Sequence, residues 1–386
     1  MAESETKMVE IPTPGVAFWP VGSGDSVTIR VTENVFMQVD ICHRATAENE
    51  ETDFAEVIDR LKEILPERDG KPHLAVFVLT HPDKDHCLGF KRLLNEVSIG
   101  EIWHSPRVFR EYHSDLCDDA ITFRKEAKRR VKKTIENGGT ADDGDRVRIV
   151  GYDDLLKEDD YKGFPKERLT TPGNAVTELN GEDFDGTFRA FIHAPFKDDS
   201  TGDRNETSVA MQVSLASEKS TAMLLLFGDL TYLILKKIWD RSEDSDVAWG
   251  LMLAAHHCSK SAMYWKNDGE EEESLQQDIL DNMDKSQTEP GIVIASSSPV
   301  PEKNKDGDNP PHALAKARYE EIASGGFMCT ADCAPEPIVF TVVANGFEKK
   351  SGSSTITKEN SRVAAAVAAA RGAGEPPRDR VGFGRV

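Results

Sequence analysis

The chain has 386 residues and a formal net charge of −21, long enough to bury a large core and too acidic overall to coat nucleic acid indiscriminately, since phosphate binding rests on Lys and Arg. Apolar residues make up 38% of the chain and charged residues 30%, a balance that implies wide solvated surfaces or unstructured stretches. No apolar run approaches the roughly 20 residues of a helical bilayer span, and the opening MAESETKMVEIPTP lacks the basic and apolar regions of a secretory signal, so a cytoplasmic protein with no membrane partner is expected.

Residues 16–40 contain two strand-like runs, VAFWPVGSGDSVTIRV and VFMQVD. Gly22, Gly24 and Asp25 suit a tight turn within the first, and the second ends at Asp40. Apolar residues at helical spacing predict a helix over 53–65. LAVFVLT, at 74–80, is a continuous apolar run of the kind found in a strand covered on both faces, and it stops at His81. A helix around 88–95 and a short strand at IGEIWH follow. The stretch 107–145 looks helical and includes RKEAKRRVKK, from Arg124 to Lys133, the densest positive run in the chain. That run is either a solvated helical face or a rail for a polyanionic substrate, with Arg129, Arg130, Lys132 and Lys133 as its contacts.

Further strands are predicted at 145–152, 188–195, 208–215 and 221–227, the last stopping at Gly228-Asp229. LTYLILKKIWD reads as a helix, and VAWGLMLAA as a strand that ends on His256-His257. An acidic block, Glu270 to Glu273, marks an exposed insertion at about 266–290. GIVIASS, at 291–297, is the last buried strand before a helix beginning near Ala313, and VFTVVA, at 339–344, is expected to close the second sheet. Residues 351–386 turn Ala- and Gly-rich and predict a disordered tail, leaving one domain over 1–350. The six cysteines, at 42, 87, 117, 258, 329 and 333, show no small-domain disulfide framework.

Strands alternating with helices imply a layered α/β fold. Four of the apolar strands run directly into residues able to bind metal or move protons, and strand ends are where such folds place chemistry. His81, Asp83, Asp85 and His86 put four potential ligands within six residues. In an extended stretch His81, Asp83 and Asp85 point the same way, and a turn brings His86 around. Imidazole suits zinc, manganese or iron, and carboxylate suits the harder members of that series.

The segment HPDKDH, preceded by VLT and followed by CLGF, resembles the HxHxDH signature of the metallo-β-lactamase superfamily. It is closer still to the HxDxDH variant of the ComEC-like branch, here without a membrane channel. VGSGDS, VFMQVD, FIHAP, NETSVAMQV, LLFGD, AAHHCSKSA and NPPH resemble further motifs of that branch in the same order, over roughly residues 16–325. Cys258 stands where the branch has Gly, and NPPH replaces a Gly-His-Pro turn.

The resemblance implies a four-layer αββα sandwich holding two divalent ions, Zn2+ or Mn2+. One ion would be held by His81, Asp83 and His193, the other by Asp85, His86 and a late histidine, with Asp229 bridging. Chain order favours His312 as the late ligand over its competitor His257. His256 and His257 would then contact substrate or protonate the leaving group, and Asp85 or Asp229 would orient the attacking hydroxide. Asp25 and Asp40 would support the ligands from behind, and Ser259 and Lys260 would meet a phosphate. The activity so implied is metal-dependent hydrolysis by a metal-bound hydroxide, foremost of a phosphodiester in DNA, RNA or a smaller molecule. Small esters, thioesters, lactones or phosphocholine esters are the alternative, and a non-catalytic partner subunit is the second. The residues do not identify a protein partner.

Overall fold

The computed structural model describes residues 9–49, 52–109, 116–199, 205–218, 220–267, 269–305 and 307–350. The predicted tail at 351–386 lies outside them. Two large sheets are stacked, with helices on both outer faces. The first, ten-stranded sheet takes Gly15–Phe18 (β1), Val27–Thr32 (β2), Val35–Val39 (β3), Lys71–Leu79 (β4), Ser98–His104 (β5), Arg146–Val150 (β6) and Leu169–Thr170 (β7), with Glu67–Arg68 at its side. The second, seven-stranded sheet takes Ala175–Val176 (β8), Phe188–Ala194 (β9), Ala210–Ala216 (β10), Thr221–Leu226 (β11), Trp249–Leu253 (β12), Gln287–Ala295 (β13) and Gly326–Cys329 (β14). Ile338–Val343 (β15) and Gly346–Lys349 (β16) return to the first sheet, β15 pairing antiparallel with β1.

Strand alternation sorts the core into three slabs. Phe77 and Leu79 of β4 face outward onto the helices Val57–Ile64 (α1), Phe90–Glu96 (α2) and Asp118–Glu136 (α3). Val76 and Val78 face inward, meeting Leu224 and Leu226 of β11 between the sheets. Leu225, Met252 and Val293 face the opposite outer layer, built by Tyr232–Arg241 (α4), Gln277–Ser286 (α5) and Ala313–Ile322 (α6). The order is therefore helix, sheet, sheet, helix, the expected αββα sandwich. No helix among the described residues is long and apolar enough to cross a membrane.

Three expectations need correction. VFTVVA does not close the second sheet, because β15 finds the open edge of β1 in the first. The acidic segment is not wholly an exposed insertion: Glu270 to Glu273 are exposed, but α5 follows them and buries Ile279, Leu280 and Met283. The basic run is drawn into the scaffold rather than standing free as a rail. Arg130 is buried, donating to the carbonyls of Ile99, Gly100 and Arg146 and to Glu126. Arg129 and Lys133 both pair with Asp145, and Lys132 pairs with Glu136.

Ile99 is in register with Leu74, six residues before Thr80, so at 3.3 Å per residue the run sits roughly 20 Å from the functional end of β4. Arg130→Ala would remove a buried guanidinium that donates to three carbonyls and to Glu126, and a loss of about 3–5 kcal/mol is expected in urea unfolding. Lys132→Ala, on an exposed side chain, should stay within about 0.5 kcal/mol of the parent.

Candidate metal centre

The ends of β4, β11 and β12 meet at one edge of the sandwich. Thr80, His81 and Asp83 continue β4, and one helical turn, Lys84–Cys87, carries Asp85 and His86. Gly228 and Asp229 follow β11, and the turn Ala255–Cys258 follows β12. Two glycines permit the crowding. A Cβ on Gly24 would lie 2.8 Å from the Asp85 carbonyl oxygen, and one on Gly228 would lie 3.0 Å from the Ser208 Cβ. Without side chains there, the Asp25 N–H reaches the Asp85 carbonyl at 3.1 Å, and the Gly228 carbonyl accepts from the His256 N–H at 2.9 Å.

Four imidazoles converge on Asp229, two on each carboxylate oxygen. Its Oδ1 lies 3.1 Å from His86 Nε2 and 3.5 Å from His257 Nε2. Its Oδ2 lies 3.6 Å from His81 Nε2 and 3.5 Å from His256 Nε2. Asp83 Oδ2 adds to the second group at 3.7 Å from His81 Nε2, and Asp85 Oδ2 to the first at 3.4 Å from His257 Nε2. His86 Nε2 and His257 Nε2 are themselves 3.2 Å apart. Two ligands bonded at 2.0–2.1 Å to one tetrahedral zinc stand about 3.3–3.4 Å apart, so these edges suit a shared cation in each half. The Nε2 of His81 and the Oδ1 of Asp229 are buried with no hydrogen-bond partner, as atoms meant for a cation would be. The buried cluster fits a metal ion, and the donor set of imidazole and carboxylate suits zinc or manganese.

The far edges of the rings fix which nitrogen faces inward. His86 Nδ1–H donates to Asp40 Oδ2 at 2.7 Å, and Thr80 Oγ–H donates to the same oxygen at 2.6 Å. With its hydrogen committed to Asp40, the Thr80 oxygen accepts from His81 Nδ1 at 3.1 Å, and Ser208 Oγ lies on the same nitrogen at 3.2 Å. The Nδ1 of His257 meets the Ser296 carbonyl at 3.2 Å and Asp25 Oδ1 at 3.3 Å. Asp25 belongs to the same buried cluster of possible ligands. It faces the Nδ1 edge of His257, where it can orient that ring. Asp40→Asn removes the acceptor that serves both His86 and Thr80, and metal affinity is expected to fall about 10- to 100-fold in a competitive chelator titration.

Electrostatics follow the same division. Burial pushes Asp229 up, but His256, His86, His257 and His81 overcome it and hold the carboxyl well below its usual range. Burial likewise opposes ionisation of Asp85, and its hydrogen bond to His257, with the charges of His86 and His257, reverses that. Burial pushes the imidazoles down. His81 and His256 remain lowered, while Asp229 with Asp40 raises His86 and Asp229 with Asp25 raises His257.

His256, His257 and Cys258 are all left-handed, at φ 50, 52 and 66°, a conformation that strains each non-glycine residue by roughly 1–2 kcal/mol. Surrounding contacts hold it. The Cys258 side chain is fully buried in the outer core with Tyr319 and Met263, and its carbonyl accepts from the His312 N–H at 3.0 Å. The two rings are thereby splayed to opposite oxygens of Asp229, with centroids 6.0 Å apart.

The structure thus gathers His81, Asp83, Asp85, His86, Asp229 and His257, with Asp25 and Asp40 behind them. It adds His256, and it leaves out two expected ligands. His193 lies with Arg189 and Phe191 on the outer face of β9, where its Nε2 meets the Asp246 carbonyl at 2.9 Å and its Nδ1 the Ser242 hydroxyl at 3.1 Å. His312 accepts from the Lys260 N–H at 3.2 Å and meets the Asp308 carbonyl at 3.1 Å, so it braces the histidine turn. His256 and His257 are correspondingly turned into the cluster and not outward as substrate contacts or leaving-group acids. Ser259 is buried and accepts from the Ser261 N–H, and Lys260 pairs with Glu273 at 2.6 Å. Sequence reasoning missed Thr80, Ser208 and the Ser296 carbonyl, which fix the ring edges. Only NETS, with Ser208 at its end, carried a signal for one of them.

No family model matches the chain, and no curated protein matches it. Solved structures similar to it include proteins of the metallo-β-lactamase superfamily. A B3 metallo-β-lactamase with an active-site glutamic acid is 11% identical, covering 74% of this chain and 92% of its own, with a TM-score of 0.36. A diphosphatase of the PhnP family is 9% identical over 84% of this chain and 97% of its own, with a TM-score of 0.33. An archaeal metallo-β-lactamase superfamily protein from Sulfolobus tokodaii is 11% identical over 81% and 98%, with a TM-score of 0.29. Overlaps this loose carry no weight for ligands or substrate, and the layer order and the convergence on Asp229 stand without them.

Proposed function

We propose that this chain is a metal-dependent hydrolase acting on a phosphodiester, with two divalent ions, zinc or manganese, bridged by Asp229. The observation that carries the reading is the disposition of that one carboxylate, whose two oxygens each face a separate pair of imidazoles. One ion would be held by His81, Asp83, His256 and Asp229, the other by Asp85, His86, His257 and Asp229. When bound, such a pair lowers the pKa of a water and neutralises charge on the attacked group.

The chain's own residues supply the rest. Asp40, Thr80, Ser208, Asp25 and Ser296 hold the rings with Nε2 inward, and Asp85, partly exposed at the rim, can orient a water beside it by accepting its hydrogen bond. Lys260 stands on the turn after His256 and His257, and its exposed pair with Glu273 is of the weak kind that a phosphate can displace. Substrate choice leans on the HPDKDH resemblance together with Lys260. With the basic run of α3 tied to the scaffold far from the site, and a net charge of −21, a small or short phosphodiester is favoured over long nucleic acid.

The test is the metal-loaded protein assayed on bis-p-nitrophenyl phosphate, single-stranded DNA, duplex DNA, RNA and p-nitrophenyl carboxylic esters in parallel. Cleavage of the first substrate, with weak or no cleavage of the polymers, is expected. Cleavage of carboxylic esters alone would contradict the phosphodiester reading.

A further inference from the structure

Cys87 and Cys117 come from different elements, yet their Sγ atoms are 3.6 Å apart. Cys87 closes the helical turn that carries Asp85 and His86, and its single S–H can turn to the Asp83 carbonyl, 3.1 Å away, or to Cys117. Cys117 stands immediately before α3, partly exposed, whereas Cys87 is fully buried. The two sulfurs therefore tie the back of the metal turn to the start of a 19-residue helix. All six cysteines are free thiols.

We propose that Cys117 and Cys87 form an oxidative modification site, a dithiol that a hydroperoxide converts to a disulfide and that thereby loosens the metal turn. Its consequence for the site rests on the two-ion reading above. The partly exposed Cys117 sulfur attacks one oxygen of the hydroperoxide and the O–O bond breaks, leaving Cys117 as a sulfenic acid and releasing water or an alcohol. The Cys87 sulfur then attacks the Cys117 sulfur; an S–S bond forms, the S–O bond breaks, and the departing oxygen leaves as water with the Cys87 proton. The two thiols lose two electrons, and the peroxide accepts them.

The surroundings favour this order. The Cys87 thiol, with the Ala120 and Asp119 amides at the start of α3, draws Cys117 down to about 6 despite its partial burial, which is the thiolate-rich state that reacts. A disulfide brings sulfurs to about 2.0 Å, so closing the 3.6 Å gap takes Cys87 off the Asp83 carbonyl. The disulfide sulfur carries no hydrogen, so the support it gave that carbonyl is lost on the turn that bears Asp83, Asp85 and His86.

The experiment treats the full, metal-containing protein with hydrogen peroxide. It measures metal content beforehand, maps disulfides by non-reducing peptide mass spectrometry, and titrates metal affinity against a chromophoric chelator. A Cys87–Cys117 link reversible by dithiothreitol is expected, with metal affinity reduced about 10- to 100-fold, as for other losses of ligand support. The Cys117→Ser variant should keep its metal and show neither change. No link, or a link elsewhere, overturns the modification site. A link that leaves metal affinity unchanged overturns the coupling. Protein that carries no metal at the outset contradicts the two-ion reading, and the peptide map then decides the dithiol independently.

Discussion

Asp229→Ala protein is expected to fold, to bind neither ion stably, and to lose hydrolysis by on the order of 10³-fold or more. Each Asp229 oxygen faces two imidazoles, Oδ1 with His86 and His257 and Oδ2 with His81 and His256. Removing the carboxylate takes a donor from both halves at once. It also leaves four imidazoles facing one another without the anion between them, so like charge resists any protonation there. The fold should survive, because the core slabs on either side of the sheets are apolar and continuous without it. Circular dichroism separates unfolding from metal loss, and elemental analysis counts the ions. Retention of both ions would show that Asp229 does not bridge.

The second large effect separates two histidines that look alike in the sequence. His256→Ala is expected to lose about half of the bound metal, with activity falling by roughly 10²-fold or more, because only the half-site of His81 and Asp83 loses a donor. His193→Ala should keep both ions, since that ring hydrogen-bonds Ser242 and the Asp246 carbonyl. Its cost should appear as stability, about 1 kcal/mol for the lost hydrogen bonds. Metal-to-protein ratios of the two purified variants decide the matter. A normal ratio in the first and a halved ratio in the second would reverse the assignment.

Much of the architecture was legible because burial writes itself into sequence. LAVFVLT, TAMLLLF and GIVIASS are apolar on both faces because each strand has a neighbouring layer on either side. His81 to His86 stood out because four polar ligands after such a strand have no packing reason to be there. Asp229 stood out in the same way. The misassigned ligands have equally physical causes. Period-two alternation aligns His193 with Phe191 and Arg189 on the outer face of β9, and chain order cannot show which face a strand turns to the site.

His256 was overlooked as a ligand because three consecutive left-handed non-glycine residues are too strained to be expected from composition. The Gly-to-Cys difference at 258 marked the place without revealing its backbone. The basic run misled for another reason. Charge density along a helix does not tell that Arg130 is buried beneath it, whereas Val131 and Ala127 beside it, both buried, did carry the helical pattern. In the acidic segment, Ile279, Leu280 and Met283 had the helical spacing of α5 all along, hidden by the block of glutamates before them.

The central claim is a pair of ions astride Asp229, held by consecutive histidines. Anomalous scattering from crystals of the metal-loaded protein tests it directly. Two peaks about 3.5–4 Å apart are predicted, one within bonding distance of His81 and His256, the other of His86 and His257, with His193 and His312 outside both. A single peak, or one ligated by His193 or His312, would contradict it.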